Sequence, residues 1–194
     1  MNIADNKARL RESALERRRY AASRSATRRA NERLIGFLDQ VGQGRTVAGY
    51  LPIRSEIDPI NTMSYLTEIN SIVCVPVVCG PGLPLKFRQW MPGIPLIRNA
   101  FGTSIPESGD LVEPDLLIVP VVAFDSACAR LGYGGGFYDR TLQILRAKRT
   151  QTAQSLVAVG FAYSDQEHPA IPRDAHDQRL DAIVTDARLI VAEQ

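Results

Sequence analysis

The chain is organised around the stretch Arg130-Leu131-Gly132-Tyr133-Gly134-Gly135-Gly136-Phe137-Tyr138-Asp139-Arg140, which places four glycines within five positions. An apolar run at 116–124 precedes this stretch, and apolar residues at helical spacing, Tyr138, Leu142 and Leu145, follow it. The pattern predicts a strand, a glycine loop and a helix. This order directs free backbone N–H groups towards a phosphate, so we expect a nucleotide site here.

Helix and strand patterns alternate on both sides of this stretch. Residues 2–35 contain no glycine or proline and predict two helices that break near 22–25. Further helices are predicted at 61–69 and 137–148, and strands at 46–51, 72–79, 85–90, 156–162, 180–184 and 189–191. Residues 91–114 are rich in glycine and proline and predict an ordered irregular loop. The alternation predicts a three-layer α/β fold, with a mostly parallel sheet flanked by helices and with N-terminal helices.

Length and composition indicate a single globular domain over residues 1–194. No apolar run reaches the roughly 20 residues that span a bilayer, and the polar start of the chain is unlike a signal peptide. Cys74, Cys79 and Cys128 are odd in number and form no CxxC motif, which is typical of free thiols in a reducing compartment. We therefore expect a cytoplasmic protein without a membrane partner.

Basic residues crowd the first 34 positions, although the net charge of the whole chain is only +2. They are Lys7, Arg9, Arg11, Arg17, Arg18, Arg19, Arg24, Arg28, Arg29 and Arg33. Most of them are interpreted as a solvated helix face, with one or two reserved for an anionic small ligand. A nucleic-acid-binding module is a further interpretation. Tyr20 is the one aromatic residue among them, so we expect no nucleic-acid partner.

The glycine stretch matches neither of the common nucleotide motifs. No Gly-Lys-Ser/Thr follows it, and its spacing differs from the dinucleotide-binding pattern G-x-G-x-x-G. Arg130 is suited to phosphate, and Asp139 and Asp177 are suited to Mg²⁺. Each carboxylate also has a structural interpretation, Asp139 at a helix start and Asp177 in a turn. Glu56 follows the first predicted strand, where α/β proteins bind ligands.

The stretch 130–140, with Ala123-Phe124-Asp125 before it, resembles the signature of the 5-formyltetrahydrofolate cyclo-ligases, also called 5,10-methenyltetrahydrofolate synthetases. The resemblance extends over nearly the whole chain. It includes Lys7 with Arg11, Tyr50-Leu51-Pro52 with Glu56-Ile57-Asp58, Phe87 with Trp90, and Pro172 with His176-Asp177. The departures are Cys128 for a usual glycine, Phe137 for a frequent tyrosine, Leu85 for a methionine and Pro59 for a threonine. None of them removes a charged group.

The resemblance implies a reaction between ATP and 5-formyltetrahydrofolate, with Mg²⁺ as cofactor. ATP phosphorylates the formyl oxygen, which gives an iminium phosphate. Nitrogen N10 then attacks the formyl carbon, the ring closes and phosphate departs. The products are 5,10-methenyltetrahydrofolate, ADP and phosphate.

The resemblance also implies a role for individual residues. ATP would contact Lys7, Ala8, Arg9, Leu10, Arg11, Arg130, Leu131, Gly132, Tyr133, Gly134, Gly135, Gly136, Phe137 and Tyr138. The folate, possibly polyglutamylated, would contact Leu51, Glu56, Trp90, Phe101, Tyr133, Gly134, Gly135, Gly136 and Phe137. Arg11 and Arg130 would be catalytic, and Asp139 and Asp177 would hold Mg²⁺. We expect the enzyme to act as a monomer.

One other class of enzyme fits a similar α/β scaffold. A sugar-phosphate isomerase or an acyl-CoA transferase would need no ATP. These alternatives, and the basic nucleic-acid-binding module, remain open from the sequence.

Overall fold

The computed structural model describes residues 2–41, 44–149 and 155–193. Its helices are α1 (Ile3–Ala21), α2 (Arg24–Val41), α3 (Ile60–Glu68) and α4 (Phe137–Arg149), with a 3₁₀ turn at Ser164–Gln166. The predicted break between the first two helices is confirmed, since α1 ends at Ala21 and α2 begins at Arg24. At the start of α1, the side chain of Asn2 caps the helix by accepting a 2.8 Å hydrogen bond from the Asp5 amide.

Eight strands of the described chain form one central sheet. In chain order they are β1 (Val47–Ala48), β2 (Val73–Val77), β3 (Lys86–Gln89), β6 (Leu111–Val112), β7 (Leu116–Pro120), β10 (Val157–Phe161), β11 (Ala182–Val184) and β12 (Leu189–Val191). Two hairpins lie outside the sheet: β4 (Leu96–Arg98) with β5 (Ser104–Pro106), and β8 (Ala123–Phe124) with β9 (Arg130–Leu131).

The spatial order of the central sheet is β12-β11-β10-β7-β1-β2-β3-β6. The five strands from β11 to β2 are parallel. At the edges, β12 is antiparallel to β11, β3 is antiparallel to β2, and β6 is antiparallel to β3. From β1 the chain moves first to β2 on one side and later to β7 on the other. The carboxyl ends of β1 and β7 therefore flank the point where strand order reverses, which is where α/β sheets bind ligands.

Helices cover both faces of this sheet, which confirms the predicted three-layer α/β architecture. Buried residues of α2 and α3, among them Leu34 and Met63, pack on one face. Leu142 and Leu145 of α4 pack on the other face. Helix α1 lies apart from these layers, with its buried Ala14 packed against the β8–β9 hairpin.

The apolar run at 116–124 does not form the single strand that its sequence pattern predicts. It divides into β7 and β8, and the strand that leads directly into the glycine loop is β9. Asp125 stabilises the turn between β8 and β9, because its Oδ1 accepts hydrogen bonds from the amides of Ala127 and Ala129, each at 3.0 Å. Cys128 in this turn has φ +58°, a left-handed conformation that favours glycine and explains why glycine would suit this position.

Two further features refine the predicted fold. The loop predicted at 91–114 contains the β4–β5 hairpin and the edge strand β6. Pro76, which is unusual in a central strand, lies past the β1 ladder, since that ladder ends at Cys74. Pro76 pairs with Phe87 of β3 instead, so its missing N–H interrupts no bond to β1.

Candidate active site

A cavity of about 1110 Å³ opens at the carboxyl ends of β1 and β7. We call it the central cavity. Its walls are the N-terminal half of α1, the loop at 50–56, the β4–β5 hairpin, residues 130–140 and the segment 174–177. The stretch that the sequence singled out therefore forms one whole side of the cavity.

Lys7 connects α1 to the segment 174–177. Its Nζ lies 2.8 Å from Asp174 Oδ2 and 2.6 Å from Asp177 Oδ2. Burial alone lowers the pKa of Lys7, but the two carboxylates outweigh burial and raise this pKa above its ordinary value. Lys7 in turn lowers the pKa of Asp174. The ammonium group is thus held charged at the cavity wall.

Arg11 lies one turn after Lys7 and contacts the glycine loop. Its Nε donates a 2.8 Å hydrogen bond to the carbonyl oxygen of Gly132. The predicted ATP contacts Ala8, Arg9 and Leu10 are not among the described residues that line the cavity. Helical geometry turns them away: Ala8 and Arg9 face solvent, and Leu10 is buried against the β8–β9 hairpin.

The glycine loop needs glycine for backbone reasons at two positions. Gly134 has φ +99° and Gly136 has φ +64°. A Cβ atom at Gly136 would lie 2.6 Å from Arg140 Nη1, and the same guanidinium donates a 2.6 Å bond from Nη2 to the carbonyl oxygen of Gly135. Arg140 therefore packs directly on the loop and would have to move if Gly136 carried a side chain, which its positive φ also disfavours.

Arg130 and Asp139 form an ion pair beneath the loop, with Arg130 Nη2 at 2.7 Å from Asp139 Oδ1. Arg130 Nη1 also donates to the carbonyl oxygen of Gln178, and the Gln178 amide donates a 3.0 Å bond to Asp139 Oδ1. Burial lowers the pKa of Arg130, and Asp139 counters this shift. The guanidinium is thus engaged with protein groups and positions Asp139 at the start of α4.

Asp139 and Asp177, the predicted metal ligands, both line the cavity. Each uses one oxygen within the protein: Asp139 Oδ1 with Arg130, and Asp177 Oδ2 with Lys7. No group of three or more His, Cys, Asp or Glu side chains suited to a metal occurs in the described ranges. Two carboxylates are nevertheless a fitting donor set for Mg²⁺, which takes its remaining ligands from water and substrate phosphates.

The folate residues predicted from the sequence fall into two groups. Leu51, Glu56, Phe101 and residues 133–137 line the cavity. Trp90 does not: it is buried in the core on the face of the sheet that α2 and α3 cover, as Phe87 is on the other face. The structure therefore does not place Trp90 with the other predicted folate contacts, and its role in folate binding stays a prediction.

Glu56 is a half-buried carboxylate among the residues that line the cavity. Its Oε2 accepts a 2.9 Å hydrogen bond from the Ile53 amide. Burial raises the pKa of Glu56 above its ordinary value, against the opposing effects of Ile53, Arg18 and the Tyr133 hydroxyl.

Sequence reasoning missed Arg18, which it treated as part of the solvated face. The side chain is fully buried and donates a 2.6 Å hydrogen bond to the Tyr133 hydroxyl. A signal for it existed, because Arg18 follows Arg11 by seven residues and so lies on the same face of α1.

Comparison with known proteins extends the similarity well beyond the cavity. The model of the 5-formyltetrahydrofolate cyclo-ligase family matches residues 3–186. The chain belongs to this family. The 5-formyltetrahydrofolate cyclo-ligase of Mycolicibacterium smegmatis is 34% identical over 197 residues, which cover 96% of this chain and 97% of that protein. The Escherichia coli K12 protein of the same name is 33% identical, over 77% of this chain and 82% of its own.

Solved structures agree with the cyclo-ligase assignment. The NMR structure of Aquifex aeolicus 5,10-methenyltetrahydrofolate synthetase is 31% identical, with a TM-score of 0.75, and covers 97% of this chain and 93% of its own. A 5,10-methenyltetrahydrofolate synthetase from Mycoplasma pneumoniae is 25% identical, with a TM-score of 0.70 and coverage of 93% and 98%. The family assignment supports a folate-metabolising ligase over the isomerase, transferase and nucleic-acid alternatives. None of the helices described is long and apolar enough to cross a membrane.

Proposed function

We propose that this cyclo-ligase converts 5-formyltetrahydrofolate to 5,10-methenyltetrahydrofolate with MgATP, through a phosphorylated formyl intermediate, and releases ADP and phosphate. One observation carries the proposal. The lining of the central cavity combines the glycine loop with charged side chains, Lys7, Arg11 and Asp139, and with apolar side chains, Leu51 and Phe101. We assign the first group to a charged end of the cavity and the second to an apolar end. Two substrates of different polarity can therefore meet over the same loop. We further propose a single cytoplasmic domain over residues 1–194 that acts as a monomer, without nucleic acid or membrane.

The charged end suits the nucleotide. Arg11 extends from α1 to the loop, Lys7 lies one turn earlier on the same face of α1, and glycine backbone amides at the start of α4 complete a phosphate site. We assign Asp139 and Asp177 to Mg²⁺, which would neutralise charge that develops on the phosphates. Arg130 holds Asp139 in place, so we assign it a positioning role rather than contact with the transferring phosphoryl group.

The apolar end suits the folate. Leu51 and Phe101 offer surface to a flat ring, and Glu56 offers a carboxylate to its polar edge. The chemistry then requires alignment rather than a protein nucleophile. The formyl oxygen must lie in line with the γ-phosphorus, and Arg11, which is bound to the loop carbonyl at Gly132, can stabilise the transferring charge.

The direct test is turnover. We expect the purified full chain, incubated with 5-formyltetrahydrofolate and MgATP, to form the methenyl chromophore and one ADP for each product molecule. Omission of ATP or chelation of Mg²⁺ should abolish the signal. A folded protein that forms no chromophore would refute the cyclo-ligase activity. Salt-sensitive binding to nucleic acid in its place would favour the basic module.

Removal of the Lys7 ammonium group should weaken the nucleotide selectively. We expect Lys7→Ala to raise KM for MgATP roughly tenfold, because a charge-assisted hydrogen bond to phosphate is lost. The KM for 5-formyltetrahydrofolate should stay within about twofold of the original value, since this substrate lies at the other end of the cavity. Steady-state kinetics with each substrate varied in turn measures both values.

Arg17→Ala is the matched control, because Arg17 is an exposed cation on the same helix. We expect its kinetics to be unchanged. Equal increases of both KM values in Lys7→Ala would instead show that Lys7 acts only by anchoring α1 to Asp174 and Asp177.

A further inference from the structure

Arg18 is a buried cation whose contacts do not explain why a charge is there. Its side chain is 1% exposed, with Nε donating to Ser55 Oγ at 3.1 Å and Nη2 to the Tyr133 hydroxyl at 2.6 Å. Nη1 is buried and has no hydrogen-bond partner in the described ranges. A position that serves packing alone is usually better filled by an apolar side chain than by a buried charge.

The contact with Arg18 decides which way the Tyr133 hydroxyl points. Because this oxygen accepts a hydrogen bond from Arg18 Nη2, its own proton is left for a different acceptor. Glu56 lines the same cavity as Tyr133 and directly follows Ser55, the other partner of Arg18, and the Tyr133 hydroxyl lowers the pKa of Glu56. The ring of Tyr133 is held as well, with the guanidinium carbons of Arg18 and Arg54 at 5.5 and 5.7 Å from its centroid.

We propose that Arg18 is a positioning residue for the folate end of the central cavity: it fixes Tyr133 and directs the tyrosine proton to Glu56. The inference rests on the proposed function, in which Glu56 meets the folate. Tyr133 and Glu56 line the cavity, whereas Arg18 is not among the lining residues, so it acts on the substrate through them. The arrangement links α1 to both the glycine loop and the loop after β1.

The proposal has a consequence for pH dependence. The groups that face Glu56 are Arg18 of α1, Arg54 and the Ile53 amide of its own loop, Tyr133 of the glycine loop, Tyr50 after β1 and Tyr138 of α4. Arg18 and Arg54 are the cations in this set, and both lower the pKa of Glu56. Loss of Arg18 should therefore raise this pKa further. If the reaction needs Glu56 as a carboxylate, Glu56 is then protonated at a higher pH. On acidification, activity should therefore be lost at a higher pH than in the original enzyme.

The experiment compares Arg18→Gln with Arg19→Gln, an exposed neighbour on α1. For Arg18→Gln we expect KM for 5-formyltetrahydrofolate to rise roughly tenfold, KM for MgATP to stay within about twofold, and the acid limb of kcat/KM to move to higher pH. Arg19→Gln should show none of these changes. Tyr133→Phe removes the hydroxyl that Arg18 holds, so it should also move the acid limb to higher pH, and the double variant should raise KM for 5-formyltetrahydrofolate no more than the more severe single one.

Each alternative outcome gives a definite answer. Equal changes of both KM values, an unmoved acid limb, or additive effects of the two substitutions would reduce Arg18 to a structural residue and overturn the inference. If Arg18→Gln does not fold, Tyr133→Phe decides, since an unchanged pH profile in that variant also overturns it. Original enzyme that forms no methenyl product would overturn the proposed function itself. Active original enzyme with an unaltered profile in Arg18→Gln would overturn the inference alone.

Discussion

Asp139→Asn should lower kcat/KM for MgATP by roughly a hundredfold to a thousandfold, the range seen when one preorganised electrostatic contact is removed. Asparagine has almost the same shape as aspartate and keeps an oxygen that can accept from Arg130 Nη2 and from the Gln178 amide. What disappears is the negative charge, which is the property that Mg²⁺ requires. The loss should therefore depend on Mg²⁺ concentration and be partly recovered when Mg²⁺ is raised.

The same substitution affects stability, and the two effects must be separated. Arg130 is buried and loses its counter-charge, so we expect the free energy of unfolding to fall by about 2 kcal/mol. Circular dichroism and thermal unfolding measure this, and the kinetics should be recorded well below Tm. Asp165→Asn is the control, because Asp165 is an exposed carboxylate in the 3₁₀ turn. Asp139→Asn with unchanged activity at every Mg²⁺ concentration would contradict the metal assignment.

Gly134→Ala should lower kcat/KM for both substrates by roughly a hundredfold, since a displacement of about 1 Å at a reacting centre has an effect of this size. The backbone of Gly134 has φ +99°, where a Cβ atom adds strain of about 1–3 kcal/mol. The new methyl group would make only an ordinary contact, 3.4 Å from the Arg11 guanidinium, so the strain comes from the backbone. The loop must shift, and it contacts both ends of the cavity.

Substitution of two other glycines distinguishes this loss of activity from a general effect of glycine-to-alanine substitution on stability. Gly82 also has a positive φ, +74°, but nothing lies within 4 Å of its Cβ position and it does not line the cavity. Gly82→Ala should cost about 1 kcal/mol of stability without loss of activity. Gly36→Ala, on the exposed face of α2, should increase stability by up to about 1 kcal/mol. Comparable activity in Gly134→Ala and Gly82→Ala would show that the loop conformation is not required for catalysis.

Local sequence patterns predict much of the architecture. The break between α1 and α2, the helix after the glycines and the buried strands follow from spacing and composition, because helices and parallel strands bury their apolar residues with different periods. Prediction failed for the run at 116–124. Its apolar residues fit one long strand, but β7 ends at Pro120, and the Asp125 carboxylate accepts hydrogen bonds from the amides of Ala127 and Ile171 where the chain turns after β8. Similarly, the β4–β5 hairpin arises from cross-strand pairing that glycine and proline content does not reveal.

In the candidate site, too, the sequence identifies some residues and leaves others to the tertiary structure. The glycine loop, Lys7, Arg11, Glu56 and Asp139 could be selected from motifs, and the fold brings all of them to one cavity. Motif reasoning could not separate Trp90, which is in the core, from Phe101, which is at the cavity, since both are aromatic residues near the same strand. Nor could it separate Ala8, Arg9 and Leu10 from their neighbours without the orientation of α1.

The sequence by itself determined the fold class, the family resemblance and the position of the glycine loop, because these depend on residue types at fixed spacing. Only the tertiary structure decided which cations serve the loop. Lys7 is paired with Asp174 and Asp177, and Arg18 is buried against Tyr133. An arginine in a basic run has the same composition whether it faces solvent or a tyrosine hydroxyl. Its role depends on contacts more than one hundred positions away along the chain, and the packing of α1 against residues 130–136 creates them.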